Sequence, residues 1–178
     1  SHVVLLDPGK GNHRYPVAAG QKELKRTIKV RKMQTYPRLP VLIVDDEEEI
    51  LTGFQFMLAS QGITNVRSFS DSLAVLPFLA ENQAGVVLLD LSMPKMAGDE
   101  LLKRIHSDYP HIKVIVVTGF NQVETAVQCM KLGAFDYLVK PVEKQRLVSS
   151  TRRAIELLEE QDEYRDFRER VMRDRQSV

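Results

Sequence analysis

The sequence is poor in cysteine and has no long apolar run. Its single cysteine, Cys129, rules out an internal disulfide bond. No stretch of about 18 consecutive apolar residues is present, and the run Val3–Leu6 lacks both the length and the charged leader of a secretory signal. We therefore expect a cytoplasmic protein with no membrane segment. Cys129 lies in a helix-like stretch without His or Cys neighbours, so we interpret it as a buried packing residue.

Charge and proline are distributed unevenly along the 178 residues. Residues 1–40 carry nine Lys or Arg, two Asp or Glu and four of the eight prolines, although the whole chain has a net charge of +1. This composition predicts that residues 1–38 form a basic leader or linker, whose role the sequence does not define. Nucleic-acid contact is one interpretation. Ile28 and Val30, set among Lys29, Arg31 and Lys32, suit an edge strand or a disordered tail equally well.

From Pro40 onward, short apolar runs alternate with longer amphipathic segments. Such alternation predicts a parallel sheet with right-handed crossovers and helices on both faces. The predicted strands are Val41–Val44, Thr64–Phe69, Val86–Leu89, Val114–Val117 and Tyr137–Val139. The predicted helices are Glu48–Ser60, Ser72–Glu81, Asp99–Ser107, Gln122–Leu132 and a long one from Glu143.

Polar side chains follow four of these strands. Asp45 and Asp46 come after the first, Asp90 after the third, Thr118 after the fourth and Lys140 after the fifth. A single Asp after a strand is most often a cap or turn residue, but the carboxyl ends of parallel strands meet at one sheet edge, so these residues form a joint pattern. Close carboxylates raise one another's pKa, and Mg²⁺ with its oxygen preference would relieve that repulsion. The pattern favours phosphoryl transfer to an aspartate.

Four segments carry a resemblance to a known family. VLIVDDEEEI, VVLLDLSMPKMAGDELL, VIVVTG and GAFDYLVKPV resemble the signature segments of response-regulator receiver domains, across about 110 residues. The resemblance implies a flavodoxin-like, doubly wound five-stranded parallel sheet of order 2-1-3-4-5 over residues 39–148, with an extended C-terminal helix. It also implies a regulatory domain, not an enzyme in the usual sense, which catalyses its own phosphoryl transfer and slow dephosphorylation.

The resemblance also assigns roles to individual residues. It makes Asp90 the phosphoacceptor and a metal ligand. Asp46 is then a direct Mg²⁺ ligand, Asp45 a ligand largely through water, and the backbone carbonyl of Ser92 a further ligand. The phosphoryl oxygens would be contacted by Thr118 and Lys140.

Tyr137 and Pro141 match two further family positions. Tyr137 corresponds to an aromatic switch that turns inward as Thr118 moves, altering the face built from the fourth helix, fifth strand and fifth helix. A half-buried strand tyrosine with a single position is the alternative. Lys140-Pro141 corresponds to the family's cis peptide bond.

The resemblance is greatest to receivers of NtrC-like, enhancer-binding transcription activators. It implies a sensor histidine kinase as phosphodonor and, in the full-length protein, downstream ATPase and DNA-binding domains. The alternative is a receiver of a hybrid histidine kinase or phosphorelay without DNA-binding output. The sequence does not identify the cognate kinase, the signal or the target genes.

The last predicted helix, Glu143–Arg175, has no Pro or Gly and would be about 50 Å long. A helix of that length extends beyond a receiver domain, so we expect residues 149–178 to form a linker or coiled coil. An apolar stripe at near-heptad spacing consists of Leu157, Tyr164, Phe167 and Val171. A homodimer through this helix, or through the face containing Tyr137, is one interpretation. A solvated signalling helix is the other.

Two other function classes fit the residues less well. A flavodoxin-like cofactor protein needs a first loop that cradles phosphate, which the acidic run Asp45–Glu49 would repel. A phosphatase with an aspartyl nucleophile places a second Asp two residues after the first, where this chain has Ser92.

Overall fold

The computed structural model describes residues 2–5, 13–16 and 35–176. The chain divides into two compact units, Ser1–Gln34 and Thr35–Val178. In the first unit, His2–Leu5 pairs antiparallel with His13–Pro16. The interpretation of Ile28 and Val30 as an edge strand or tail lies outside the described residues.

The second unit is built on a five-stranded sheet. Its strands are β1 (Val41–Val44), β2 (Val66–Phe69), β3 (Val86–Leu89), β4 (Lys113–Thr118) and β5 (Asp136–Val139). Every neighbouring pair is parallel, and the spatial order is β2-β1-β3-β4-β5. The predicted strand order 2-1-3-4-5 is confirmed.

A helix follows each strand of the sheet. The helices are α1 (Glu48–Ala59), α2 (Val75–Glu81), α3 (Gly98–Asp108), α4 (Val123–Lys131) and α5 (Lys144–Gln176). A 3₁₀ turn, Ser72–Ala74, leads directly into α2, so the predicted segment from Ser72 to Glu81 contains two kinds of helix. Pro77 lies in the first turn of α2, where its missing N–H breaks no helical hydrogen bond.

The sheet separates two hydrophobic clusters, and alternate strand residues face each of them. On one face, Leu42 and Val87 pack with residues of α2, α3 and α4. On the other face, Ile43 and Leu88 pack with residues of α1 and α5. Burial on both faces explains why β1 and β3 are continuous apolar runs. Cys129 is buried in the first cluster, and this burial raises the pKa of its thiol, in agreement with a packing role.

Helix α5 extends well past the sheet. Leu147 and Ile155 are fully or almost fully buried, whereas Tyr164 and Phe167 are each 64% exposed. The 33 residues of α5 correspond to about 50 Å, which confirms the predicted extension. Within the described part of the chain, no helix is long and apolar enough to cross a membrane.

Candidate functional site

Three carboxylates meet at the carboxyl edge of the sheet. β1 and β3 are neighbours, and the backbone N–H of Asp90 donates to the carbonyl of Val44, which places Asp90 beside Asp45. One oxygen from each of Asp45, Asp46 and Asp90 lies within 4.8 Å of the others. Asp45 and Asp90 are buried, and Asp46 is exposed. The carboxylates therefore form a cluster with one open side.

Lys140 supplies positive charge to this cluster. Its Nζ lies 2.6 Å from Oδ2 of Asp45, 3.6 Å from Oδ2 of Asp90 and 3.2 Å from Oε1 of Glu47. The backbone N–H of Lys140 donates to the carbonyl of Thr118, and the Lys140–Pro141 peptide bond is cis. Lys140 is thus fixed at the end of β5 with its ammonium directed at two buried carboxylates.

Burial and charge act against each other at this cluster. Burial raises the pKa of Asp45, while hydrogen bonds from Lys140 and from the backbone N–H of Glu47 counteract that rise. Burial lowers the pKa of Lys140, but the hydrogen bond to Asp45 and the charge of Asp90 outweigh it, so the pKa is raised overall. Lys140 therefore stays charged at neutral pH.

The Asp90 carboxylate lacks a partner for one oxygen. Oδ1 of Asp90 is buried and has no hydrogen-bond partner among the described residues. An unpaired buried carboxylate oxygen is costly, and a divalent cation beside it would remove that cost. The carboxylate oxygens of Asp45, Asp46 and Asp90 are ligands of the type that Mg²⁺ prefers, and water would complete its octahedral coordination. The backbone carbonyl of Ser92 as a further ligand remains a prediction.

Thr118 and Tyr137 are linked through the start of the loop after β4. Thr118 is fully buried, and its Oγ1 accepts a long hydrogen bond of 3.5 Å from the N–H of Phe120. The Tyr137 hydroxyl donates a 2.7 Å hydrogen bond to the carbonyl of Phe120. The structure therefore provides one physical link between the two residues, and a second position for Tyr137 remains a prediction.

Sequence reasoning missed two contributors to the site: Glu47 contacts Lys140, and Phe120 offers its carbonyl to Tyr137. A third contributor, Gly98, closes the loop after Asp90. A Cβ at Gly98 would lie 2.4 Å from the carbonyl oxygen of Asp90, so close approach of two backbones requires glycine there. The sequence does not distinguish Glu47 from its neighbours, because Glu47 lies in a run of acidic residues. It does not single out Phe120 either, because Phe120 acts through its backbone carbonyl.

Comparison with known proteins identifies relatives of this arrangement. Residues 41–152 match the family model of the response regulator receiver domain. The chain is 39% identical over 118 residues to the transcriptional regulatory protein FixJ of Rhizobium meliloti, covering 66% of this chain and 57% of FixJ. It is 36% identical over 126 residues to the DNA-binding transcriptional regulator NtrC of Escherichia coli, covering 71% of this chain and 27% of NtrC. The chain therefore spans only part of these relatives.

Solved structures share the fold. A CheY-like response regulator receiver domain protein from Methanospirillum hungatei superimposes with a TM-score of 0.64 at 29% identity, covering 69% of this chain and 98% of that one. NtrX from Brucella abortus, in complex with ADP, gives a TM-score of 0.66 at 29% identity, covering 75% of this chain and 30% of that one. The region matched by the family model, residues 41–152, contains the sheet and its carboxylate edge.

Proposed function

The chain belongs to the response regulator receiver family, and from this membership we propose that it accepts a phosphoryl group on Asp90 from a sensor histidine kinase. One observation carries the proposal. The Asp90 carboxylate is buried, has one oxygen without a hydrogen-bond partner among the described residues, and lies near two further carboxylates and the Lys140 ammonium. A structural aspartate would be expected to have both oxygens satisfied.

The reaction follows from the groups at the site. An oxygen of Asp90 attacks the phosphorus of a phosphohistidine, a P–O bond forms, and the P–N bond breaks. The leaving imidazole keeps the electron pair and takes up a proton. Lys140 and Thr118 would contact the phosphoryl oxygens. When bound, Mg²⁺ held by Asp45, Asp46, Asp90 and the Ser92 carbonyl would neutralise charge on those oxygens.

The same site would limit how long the signal lasts. Water attacks the acyl phosphate, which returns Asp90 and inorganic phosphate, so the domain catalyses its own slow dephosphorylation. We expect a regulatory domain that turns over slowly, located in the cytoplasm where its kinase partner uses ATP.

A labelling experiment tests the proposal. The chain is incubated with acetyl phosphate and Mg²⁺, and the modified residue is mapped by mass spectrometry. Labelling should occur on Asp90, require Mg²⁺ and disappear in Asp90→Asn. Asp99→Asn is the matched control, because it makes the same substitution at an exposed aspartate on α3, and it should leave labelling intact. Label on another residue, or persistent labelling of Asp90→Asn, would refute the assignment.

The proposed output is transcription activation. Support comes from the names of FixJ and NtrC, but this chain spans only part of both. A hybrid histidine kinase or phosphorelay receiver is the alternative, and the sequence of the complete gene distinguishes them. In an NtrC-like protein, residues 1–38 would be a leader, 39–148 the receiver, and 149–178 the linker or coiled coil that leads to ATPase and DNA-binding domains.

The proposed switch face surrounds Tyr137. Val123, Val127, Met130 and Val139 are exposed on α4 and β5, between 41% and 71%. Phosphorylation would change this face through Thr118, Phe120 and Tyr137. Homodimers would form through it or through α5.

A further inference from the structure

The loop that follows the phosphoacceptor is attached to a distant turn. We call residues 91–97, between β3 and α3, the acceptor loop, and Asp71 with Ser72 the β2–α2 turn. Nζ of Lys95 lies 2.5 Å from Oδ2 of Asp71. The backbone N–H of Met96 donates a 3.2 Å hydrogen bond to Oγ of Ser72. Two consecutive residues of the acceptor loop are thus held by two consecutive residues of the turn.

The turn is itself well anchored. Ser72 is 1% exposed and begins the 3₁₀ turn before α2. Asp71 caps that turn by accepting a hydrogen bond from the N–H of Leu73. The ion pair with Lys95 and this cap lower the pKa of Asp71, so its carboxylate stays charged at neutral pH. The β2–α2 turn is therefore a fixed point for the loop.

The acceptor loop is anchored at other points as well. Its first residue, Leu91, accepts a hydrogen bond at its carbonyl from the N–H of Gly98. Met93 is buried in the cluster that α2 and α3 share. Ser92, whose carbonyl is a proposed metal ligand, precedes Met93. Fixing Lys95 and Met96 at the β2–α2 turn therefore restricts the path of the backbone on the far side of Ser92.

We propose that Ser72 and Asp71 are positioning residues for the phosphoacceptor site. They hold the acceptor loop in place before metal or phosphodonor arrives, so that the backbone of Ser92 would need little rearrangement when the cation binds. The inference rests on the proposed function, because it concerns binding of Mg²⁺ at Asp90. Supporting groups around a metal site typically change metal affinity about 10- to 100-fold when removed.

The two attachments differ in strength. The Lys95–Asp71 pair is exposed, with 57% and 37% of the side chains accessible, and solvent weakens such pairs. Ser72 is buried, and without its hydroxyl the Met96 N–H loses its partner. We expect Ser72→Ala to weaken Mg²⁺ binding about tenfold. Lys95→Gln should have a smaller effect in the same direction.

The first measurement is amide hydrogen exchange of the chain without metal. Ser72→Ala should speed exchange in residues 91–97 specifically. Thr151→Val is the matched control, because it also deletes a fully buried hydroxyl, one that donates to the Leu147 carbonyl within α5. The control should leave exchange in the acceptor loop unchanged. Equal loop exchange in Ser72→Ala and Thr151→Val would overturn the proposal.

The second measurement is the Mg²⁺ dependence of Asp90 labelling by acetyl phosphate. Ser72→Ala should raise the half-saturating Mg²⁺ concentration and leave the rate at saturating Mg²⁺ near that of the wild type. Equal loss of rate at every Mg²⁺ concentration would contradict a positioning role. If Ser72→Ala lowers the unfolding midpoint, Lys95→Gln provides the same test at an exposed position, with Lys95→Arg expected to restore binding.

Failure of the inference is distinct from failure of the proposed function. A wild-type chain that takes no label on Asp90 would refute the proposed function. In that case, unchanged hydrogen exchange of the acceptor loop in Ser72→Ala would separately refute the attachment.

Discussion

The Lys140 ammonium lies 2.6 Å from the Asp45 carboxylate, at the edge where three carboxylates meet. This pair compensates negative charge that burial makes unfavourable, because only 14% of the Lys140 side chain and 3% of the Asp45 side chain are accessible. Lys140 therefore contributes to folding as well as to the proposed chemistry, and the two contributions can be separated.

Lys140→Met should destabilise the fold in the absence of Mg²⁺. Removing one partner of a buried pair typically costs about 3 kcal/mol, because the other charge is left uncompensated. Mg²⁺ should stabilise the variant more than the wild type, since the cation would replace the lost positive charge. Urea unfolding with and without Mg²⁺ measures both effects. The control is Lys103→Met, because Lys103 pairs with Asp99 in an exposed position on α3. Equal stability of the two variants without Mg²⁺ would contradict the prediction.

Gly98→Ala tests the close approach of the acceptor loop to Asp90. The added Cβ would lie 2.4 Å from the Asp90 carbonyl oxygen and 2.5 Å from Cα of Leu91, both backbone atoms. We expect a loss of about 1–3 kcal/mol of stability and slower labelling of Asp90. Gly53→Ala is the matched control, because its Cβ meets nothing within 4 Å in the middle of α1. That change should stabilise the fold by about 0.5–1 kcal/mol. Thermal unfolding of both variants gives the comparison, and a neutral Gly98→Ala would refute the crowding argument.

The strands and the site residues were predictable to different degrees. β1 and β3 were predicted without error because they are buried on both faces and so read as unbroken apolar runs. β2 begins two residues later than predicted because the N–H groups of Thr64 and Asn65 donate to the Tyr36 carbonyl, outside the sheet ladder. A contact with a segment 28 residues earlier leaves no local trace in the sequence.

The same contrast holds at the site. Asp45, Asp90 and Lys140 follow strands, so their convergence was predictable because the carboxyl ends of parallel strands lie at one edge of the sheet. The Lys95–Asp71 pair joins two loops, and loop conformation determines whether such side chains meet. No periodic pattern encodes that conformation, so this part of the site required the structure.

The pKa of Asp71 predicts how the loop attachment responds to acid. The hydrogen bond and charge of Lys95, together with the N–H of Leu73, hold it below the ordinary value of 3.8. A lowered pKa in the folded state contributes stability above the unfolded-state pKa, and that stability is lost as pH falls through the folded-state pKa. Asp71→Asn should therefore reduce stability at neutral pH, and its difference from the wild type should shrink below about pH 4. Unfolding in urea across this range measures the difference.

Lys95→Gln provides the control for this pH dependence. Lys95→Gln removes the interaction that lowers the pKa of Asp71 most. Adding Asp71→Asn to Lys95→Gln should therefore change the pH dependence of stability little further. An Asp71→Asn difference that stays constant down to the lowest pH would contradict the assignment.

Asp136 connects β5 to α5 next to Tyr137. Its Oδ2 accepts hydrogen bonds from the Ser150 hydroxyl at 2.5 Å and from Arg153 at 2.8 Å, and Oδ1 accepts from the N–H of Tyr137. Asp136→Ala should lower stability by about 2 kcal/mol, because hydrogen bonds to a charged group are lost. It should also increase hydrogen exchange in the first turns of α5. Asp99→Ala on α3 is the control, and equal exchange of α5 in both variants would refute the connection.

The exposed part of α5 predicts self-association. Tyr164, Phe167 and Val171 are spaced by three and four residues, which places them on one stripe, and they are 64%, 64% and 37% exposed. A second copy of α5 would bury this stripe, each 100 Å² of apolar surface contributing about 2.5 kcal/mol before the cost of association. We expect a dimer whose population rises with concentration, and a combined change of the three residues to Gln should weaken it at least about tenfold.

The control for self-association is Phe56→Gln, because Phe56 is 74% exposed on α1, away from the stripe. It removes an exposed aromatic ring without touching α5, so it should leave the dimer unchanged. Sedimentation velocity of the wild type, the triple Gln variant, Phe56→Gln and Asp90→Asn, with and without beryllofluoride as a phosphoryl mimic, measures the dimer and its response to the site. A shift with beryllofluoride in the wild type but not in Asp90→Asn would link the stripe to the phosphoacceptor. A monomer at every concentration up to high micromolar would leave α5 as a solvated signalling helix.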